Sequence, residues 1–147
     1  MSDLDDFFRI AAADRGLCVA ISSRADGRAQ ASVVNAGILD HPLLKQRVVG
    51  LVAAGRSRKL DNWRARPYAT LVAKNGWDWV AVEGPVDIIG PDDPVPVADA
   101  DSLRLLLRAV FTAAGGTHDD WDEYDRVMVA ERRAAVFVTP SRVYSNG

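Results

Sequence analysis

Between Gly55 and Pro67 the chain reads Gly55-Arg56-Ser57-Arg58-Lys59-Leu60-Asp61-Asn62-Trp63-Arg64-Ala65-Arg66-Pro67. Five cations (Arg56, Arg58, Lys59, Arg64 and Arg66) fall within eleven residues and are opposed only by Asp61. Ser57 opens and Pro67 closes a predicted short helix over 57–66. Arg58 and Lys59 then lie in its first turn, where the helix dipole is positive and each cation costs ~0.3–1 kcal/mol. Free backbone N–H groups gather at the same end and make a ready anion site. A sequence that accepts this local cost is expected to hold a phosphate or carboxylate there. A merely solvated basic face is the competing explanation.

The other reactive side chains offer less. His41 and His118 are the only histidines, and neither has a metal-ligand spacing. Each lies next to a predicted turn and is expected to be solvated or capping. Cys18, the only cysteine, falls inside a predicted strand as a small core residue, so a Cys-His nucleophile is not expected. One cysteine also permits no intrachain disulfide and no cysteine-based metal site. The chain has no Gly-x-Ser-x-Gly elbow, no P-loop and no Gly-x-Gly-x-x-Gly, which removes the main support for hydrolase, NTPase and Rossmann readings. No catalytic side chain and no metal site is assigned. An enzyme of this sequence is expected to leave the hard chemistry to a cofactor.

A second segment, Asn75-Gly76-Trp77-Asp78-Trp79-Val80-Ala81-Val82-Glu83-Gly84, sets a turn before two tryptophans at i and i+2. In a strand that spacing puts both indoles on one face. Such a face serves equally as a platform for a planar ligand or as a contact between two copies.

The elements that must position these residues follow from periodicity. Residues 2–14 are predicted as a helix, with Ser2 and Asp5 as a weak capping box. Strands are predicted over Gly16–Ser23 and Ala29–Leu39, joined by the Asp26-Gly27 turn. Val48–Ala53 is fully apolar and is expected to be a strand buried on both faces. Tyr68–Ala73 and Val80–Ile89 flank the Asn75-Gly76 turn. Gly90–Asp101 carries three prolines and is expected to be a loop. Asp101–Ala114 is an amphipathic helix stopped by Gly115-Gly116. Asp119–Arg133 is a second, with acids first and Arg132 and Arg133 last, as the macrodipole favours. Ala134–Val138 and Arg142–Tyr144 close the chain as a final strand broken by Pro140. Helices are too few for a parallel βαβ sheet, so a mostly antiparallel barrel of the α+β class is expected. The 147 residues, 48% hydrophobic and 26% charged, suit one domain over 1–147. A net charge of −2 argues against nucleic-acid binding through bulk charge. The acidic start Met1-Ser2-Asp3-Leu4-Asp5-Asp6 and the lack of an apolar run of about 18 residues point to a reduced, cytoplasmic protein outside the membrane. Exposed apolar strands and tryptophans on so small a half-open barrel lead us to expect a homodimer.

Taken in order, several segments resemble the flavin and deazaflavin oxidoreductases with an FMN-binding split barrel, related to pyridoxamine 5′-phosphate oxidase. The likeness is greatest to the actinobacterial branch that uses coenzyme F420. It runs through Ala25-Asp26-Gly27-Arg28-Ala29-Gln30-Ala31-Ser32, then Arg58–Pro67, then Gly76-Trp77 to Val82-Glu83-Gly84, then Trp121-Asp122-Glu123-Tyr124 and Arg142-Val143-Tyr144. The resemblance implies a homodimer with two cofactor sites at the subunit interface. It implies that Arg58 and Lys59 hold the cofactor phosphate and acidic tail, with Ser57 and Asn62 as further cofactor-binding residues. Arg28 and the strand Gln30-Ala31-Ser32-Val33 would run beside the ring system. Trp77, Asp78, Trp79 and Val80 would approach from the other subunit. F420 is the expected cofactor, serving hydride transfer to a small conjugated substrate, with FMN the alternative. A non-catalytic carrier of a cofactor or haem is the reading from a different class.

Overall fold

The computed structural model describes residues 3–95 and 99–147. Helix α1 (Leu4–Ala13) is followed by strands β1 (Leu17–Ser23), β2 (Ala29–Asp40) and β3 (Arg47–Ala53). Helix α2 (Arg58–Ala65) leads into β4 (Tyr68–Asn75) and β5 (Asp78–Ile89). Helices α3 (Ala100–Ala113) and α4 (Trp121–Ala130) then precede β6 (Ala134–Val138) and β7 (Arg142–Ser145). All pairings are antiparallel, in the order β4-β1-β2-β3-β6-β5, and β5 returns to β4 to close a six-stranded barrel. Strand β7 adds to β5.

Two twelve-residue strands split the barrel. Strand β2 gives residues 29–35 to β1 and residues 36–40 to β3. Strand β5 gives residues 78–85 to β4 and residues 86–89 to β6. Strands this long twist enough to pass from one half-sheet into the other. The change of partner in β2 matters most for function. Along residues 29–35 only the edge toward β1 is paired, and β3 joins no earlier than Ala36.

The barrel interior holds Cys18, Leu51, Leu71 and Val82, with Phe7 of α1 and Leu60 and Trp63 of α2 packed into it. Phe7 and Trp63 are fully buried, and each such burial contributes ~1.5–3 kcal/mol or more. A smaller core under α3 and α4 gathers Val48, Val110, Tyr124 and Phe137. These two helices are tied by the Arg108–Asp125 ion pair and by Tyr124, whose hydroxyl donates to the Leu107 carbonyl at 3.1 Å. Helix α3 lies directly on β2: a Cβ at Gly37 would sit 2.1 Å from the Ala113 carbonyl oxygen. No helix among the described residues is long and apolar enough to cross a membrane.

Several expectations change in detail. The α1 cap is Asp3 with Asp6, a complete capping box one residue later than Ser2 with Asp5. The β4–β5 turn is only Gly76-Trp77, since Asn75 already pairs with Asp78. Trp77 is therefore a turn residue, 92% exposed, and does not share a strand face with Trp79, which packs edge-on to Tyr144. The chain ends in two strands rather than one broken strand, because β6 and β7 pair with successive parts of β5. Helix α4 stops at Ala130, and Arg132 adopts φ 49°, so Arg132 and Arg133 lie in a turn and not in the helix. His41 is buried rather than solvated. Its Nδ1 accepts from the Leu43 and Leu44 amides, which leaves Nε2–H to donate to Asp87 at 3.0 Å. The proline-rich loop narrows to a Gly90–Asp93 bridge followed by the start of α3 at Ala100, and Pro96 lies outside the described residues.

Candidate functional site

Where β2 leaves β3, a cavity of about 500 Å³ opens in the wall of the barrel. Val33, Val34 and Asn35 of β2 form one side, and Val52, Ala53 and Ala54 at the end of β3 form the other. Val110 and Phe111 of α3 with Tyr124, Val127 and Met128 of α4 roof it. Lys59, Glu131 and Arg133 supply its charged groups. A cleft of this size, walled by apolar side chains but with as much polar as apolar surface, can hold a small molecule with polar groups. In an antiparallel strand paired on one side, alternate residues turn N–H and C=O toward the other side. The free edge of β2 thus offers backbone donors and acceptors to a planar, polar-edged ligand. Val33, 66% exposed, offers apolar contact beside them.

Helix α2 brings the cations to this opening. Leu60 and Trp63 anchor it in the core. The Asn62 amide donates to Ser22 Oγ at 3.0 Å, and Arg66 Nε donates to the Ser23 carbonyl at 2.8 Å. Arg64 grips Asp93 through two nitrogens, at 2.9 and 2.7 Å, and also reaches Asp61. Asp93 and Asp61 thus neutralise Arg64, whereas Arg66 is held by neutral oxygens and keeps its charge. Arg56, Arg58 and Lys59 have no acidic partner among the described residues.

The start of α2 is incomplete in a telling way. Ser57 has the extended backbone of an N-cap, yet its side chain makes no cap bond and its Oγ is buried without a partner. The first-turn amides, which no helix can satisfy internally, keep their donors free. Lys59 is half-buried, and its ammonium is held below the usual lysine range, first by burial and then by the Arg133 charge. This end of the cavity collects donors and two cations, Lys59 and Arg133, against the one carboxylate of Glu131.

Arg133 was invisible as a site residue because the run Glu131-Arg132-Arg133 has the composition of an ordinary helix C-terminus. The structure carries that run to the start of α2. The Gly55 amide donates to the Glu131 carbonyl at 3.0 Å, and a Cβ at Gly55 would lie 2.5 Å from the Arg132 carbonyl oxygen. Glycine is what allows the two turns to touch. Tyr124 was quoted only as part of a family segment, and it lines the cavity with its phenol pushed up to about 12, chiefly by burial.

Of the residues expected at a site, Val33 and Lys59 line the cavity. Gln30, Ala31 and Ser32 precede Val33 on the same half-free strand, and Ser57 and Arg58 precede Lys59 at the start of α2. Arg28 belongs to the preceding turn, its amide bonded to Asp26 Oδ1 at 2.9 Å. Asn62 faces β1, where Ser22 takes its amide. Asp78, Trp79 and Val80 border a separate cleft with Asp6, Arg9 and Asn146, and Trp77 stands beside it at the hairpin tip. Within one chain, Trp77 to Val80 do not reach the cavity lining.

No family model matches the chain. Among solved structures, the conserved hypothetical protein Rv2991 from Mycobacterium tuberculosis is similar with a TM-score of 0.69 at 17% identity, over 99% of this chain and 84% of that one. A protein named F420 reductase is similar with a TM-score of 0.58 at 15% identity, over 87% and 88% of the two chains. A pyridoxamine 5′-phosphate oxidase-related, FMN-binding protein from Nostoc punctiforme is similar with a TM-score of 0.60 at 13% identity, over 97% and 80%. The closed antiparallel order, the two strands that change partner and these superpositions lead to one conclusion: the chain has the split β-barrel fold of the pyridoxamine 5′-phosphate oxidase-like proteins.

Proposed function

We propose that the chain is an F420-dependent oxidoreductase that acts on a small conjugated substrate as a homodimer. The observation that carries this reading is the split in the barrel wall, a cavity of mixed polarity with net positive charge at one end. The deazaflavin, when bound, supplies the hydride chemistry. The protein's own part is to bind and orient it.

The residues divide that task by position. Lys59, the α2 first-turn amides and Ser57 Oγ suit a phosphate. The free edge of β2 from Gln30 to Val33 suits the ring, and the α3–α4 roof keeps water from it. Arg56 and Arg58 lie outside the cavity mouth without acidic partners. A ligand whose negative charge continues beyond its first phosphate, as the F420 tail does, uses them. FMN, the second reading, ends in one phosphate, and the pairing of Arg64 with Asp93 favours it by shrinking the free cluster. Haem is less well served, because Tyr124 is held protonated and bonded to Leu107, which opposes the phenolate a tyrosine haem ligand requires. A second copy would contribute its exposed Trp77 hairpin to the open side of the cavity.

Equilibrium binding of F420 and FMN to the wild type and to the Arg56→Ala, Arg58→Ala double variant tests the reading. F420 should bind more tightly, lose affinity in the double variant and weaken as ionic strength rises, since exposed charges are screened over ~8 Å at physiological salt. Tight FMN binding with no F420 binding would replace the lead reading with the second. Binding of either without turnover of any acceptor would make the chain a carrier. Light scattering should give a particle of about twice the 15.9 kDa chain mass.

A further inference from the structure

We infer that Arg133 is the second cation of the anion site, and that Lys59 and Arg133 together hold one phosphate group from two sides. This deepens the cofactor-site reading and rests on it. Three structural facts support it.

First, two segments far apart in sequence are built into one wall. Gly55, just before α2, has no room for a side chain against Arg132, and its amide is bonded to the Glu131 carbonyl. The contact fixes the turn carrying Arg133 beside the turn carrying Lys59, and both side chains line the cavity.

Second, an ionic strap holds both turns. Asp93 takes Arg64 of α2, while the adjacent Asp92 takes Arg132. A two-residue acidic segment thereby ties α2 to the α4–β6 turn, and neither can drift without loosening the other.

Third, the charges are not balanced. Burial first, and repulsion by Arg133 second, lower the basicity of Lys59, so the two cations face each other in a partly desolvated cleft. The other titratable groups lining the cleft are Glu131 and Tyr124. Glu131 accepts from Arg133 Nε at 2.8 Å, which orients the guanidinium and leaves its terminal nitrogens for a ligand. Tyr124 is neutral and donates elsewhere. One carboxylate against two cations leaves one net positive charge in the cleft, which a phosphate anion balances. A guanidinium opposite an ammonium is also a sound division of labour, the first planar and bidentate, the second a point charge.

The test uses the full-length protein and the ligand pairs FMN with riboflavin and F420 with its phosphate-free deazaflavin core. The FMN pair isolates the phosphate's contribution to affinity, and the F420 pair reads the phosphate together with the acidic tail beyond it. In Arg133→Gln that contribution should fall about 10- to 100-fold, and Arg133→Lys should restore part of it. The phosphate-free partners should bind the variant as they bind the wild type. A second readout needs no cofactor: the side-chain NMR titration of Lys59 in the free protein should move to higher pH in Arg133→Gln, because a repelling charge is gone. If the phosphorylated ligands bind the wild type and Arg133→Gln leaves the phosphate contribution unchanged, the inference is overturned and the cofactor site stands. If none of the four ligands binds the wild type while the Lys59 titration still shifts, the cofactor reading fails instead.

Discussion

Replacing Lys59 with alanine should weaken cofactor binding and make the protein more stable, two effects that an ordinary surface lysine would not combine. A charge-assisted contact to phosphate is worth ~1.5–3 kcal/mol, which is about 10- to 150-fold in affinity. Stability should move the other way, because a cation in the first turn of α2 opposes the helix dipole by ~0.3–1 kcal/mol. For a domain of this size that is a rise of roughly 1–4 °C in Tm. The pH dependence gives an internal check. Lys59 is less basic in the folded protein than its ordinary 10.5, through burial first and Arg133 second. Between the lowered value and 10.5 the unfolded chain binds more protons than the folded one, so stability rises with pH across that window. The cost of the charge is present in full below the window and disappears above it. Lys59→Ala should flatten this rise. Ligand titration by fluorescence and thermal unfolding at pH 7 and at pH 10 measure both effects on one sample. Unchanged affinity with unchanged or lower Tm would refute the reasoning and reduce the basic segment to a solvated face.

The remaining predictions concern the parts that position the site. Gly37→Ala places a methyl 2.1 Å from the Ala113 carbonyl oxygen, so α3 must lift from β2. Chemical unfolding should show a loss of ~1–3 kcal/mol, with weaker cofactor binding because Val110 and Phe111 move with the helix. Arg64→Ala should lower stability by ~1 kcal/mol through loss of the bidentate Asp93 pair; in ligand titrations its effect on affinity should be smaller than that of Arg58→Ala. Cys18 is buried and its thiol is pushed up to about 12, so an alkylating reagent at pH 8 should label it only at the rate of unfolding, as mass spectrometry would follow.

The contrast between strands and site explains what a sequence of this kind discloses. Asp26-Gly27 and Asn75-Gly76 place their turns correctly, because the left-handed φ of Gly27 and Gly76 is a local requirement that glycine meets. Gly115 ends α3 for the same reason. The Val48–Ala53 run is buried almost throughout, as an unbroken apolar strand should be. Which cations of α2 are unpaired was legible only in part, since whether an arginine is free depends on acids far along the chain. Asp93 claims Arg64 from 29 residues away, and nothing near Arg64 announces it. Arg133 escaped notice by the same logic, being brought to Lys59 by a Gly55 packing contact that has no local pattern. The two tryptophans misled because a two-residue turn moved Trp77 off the strand that would have aligned it with Trp79.

The central claim is that the opening between β2 and β3 binds a phosphate-bearing flavin or deazaflavin. Backbone amide NMR of the labelled protein during titration with F420, repeated with FMN, tests it most directly. The account predicts saturable shifts concentrated at Gln30–Asn35, Val52–Lys59, Val110–Ala114 and Glu131–Arg133, joined by Trp77–Val80 if a second copy closes the site. Saturable shifts with either cofactor that leave Val52–Lys59 and Glu131–Arg133 unmoved would contradict it, as would no binding by either.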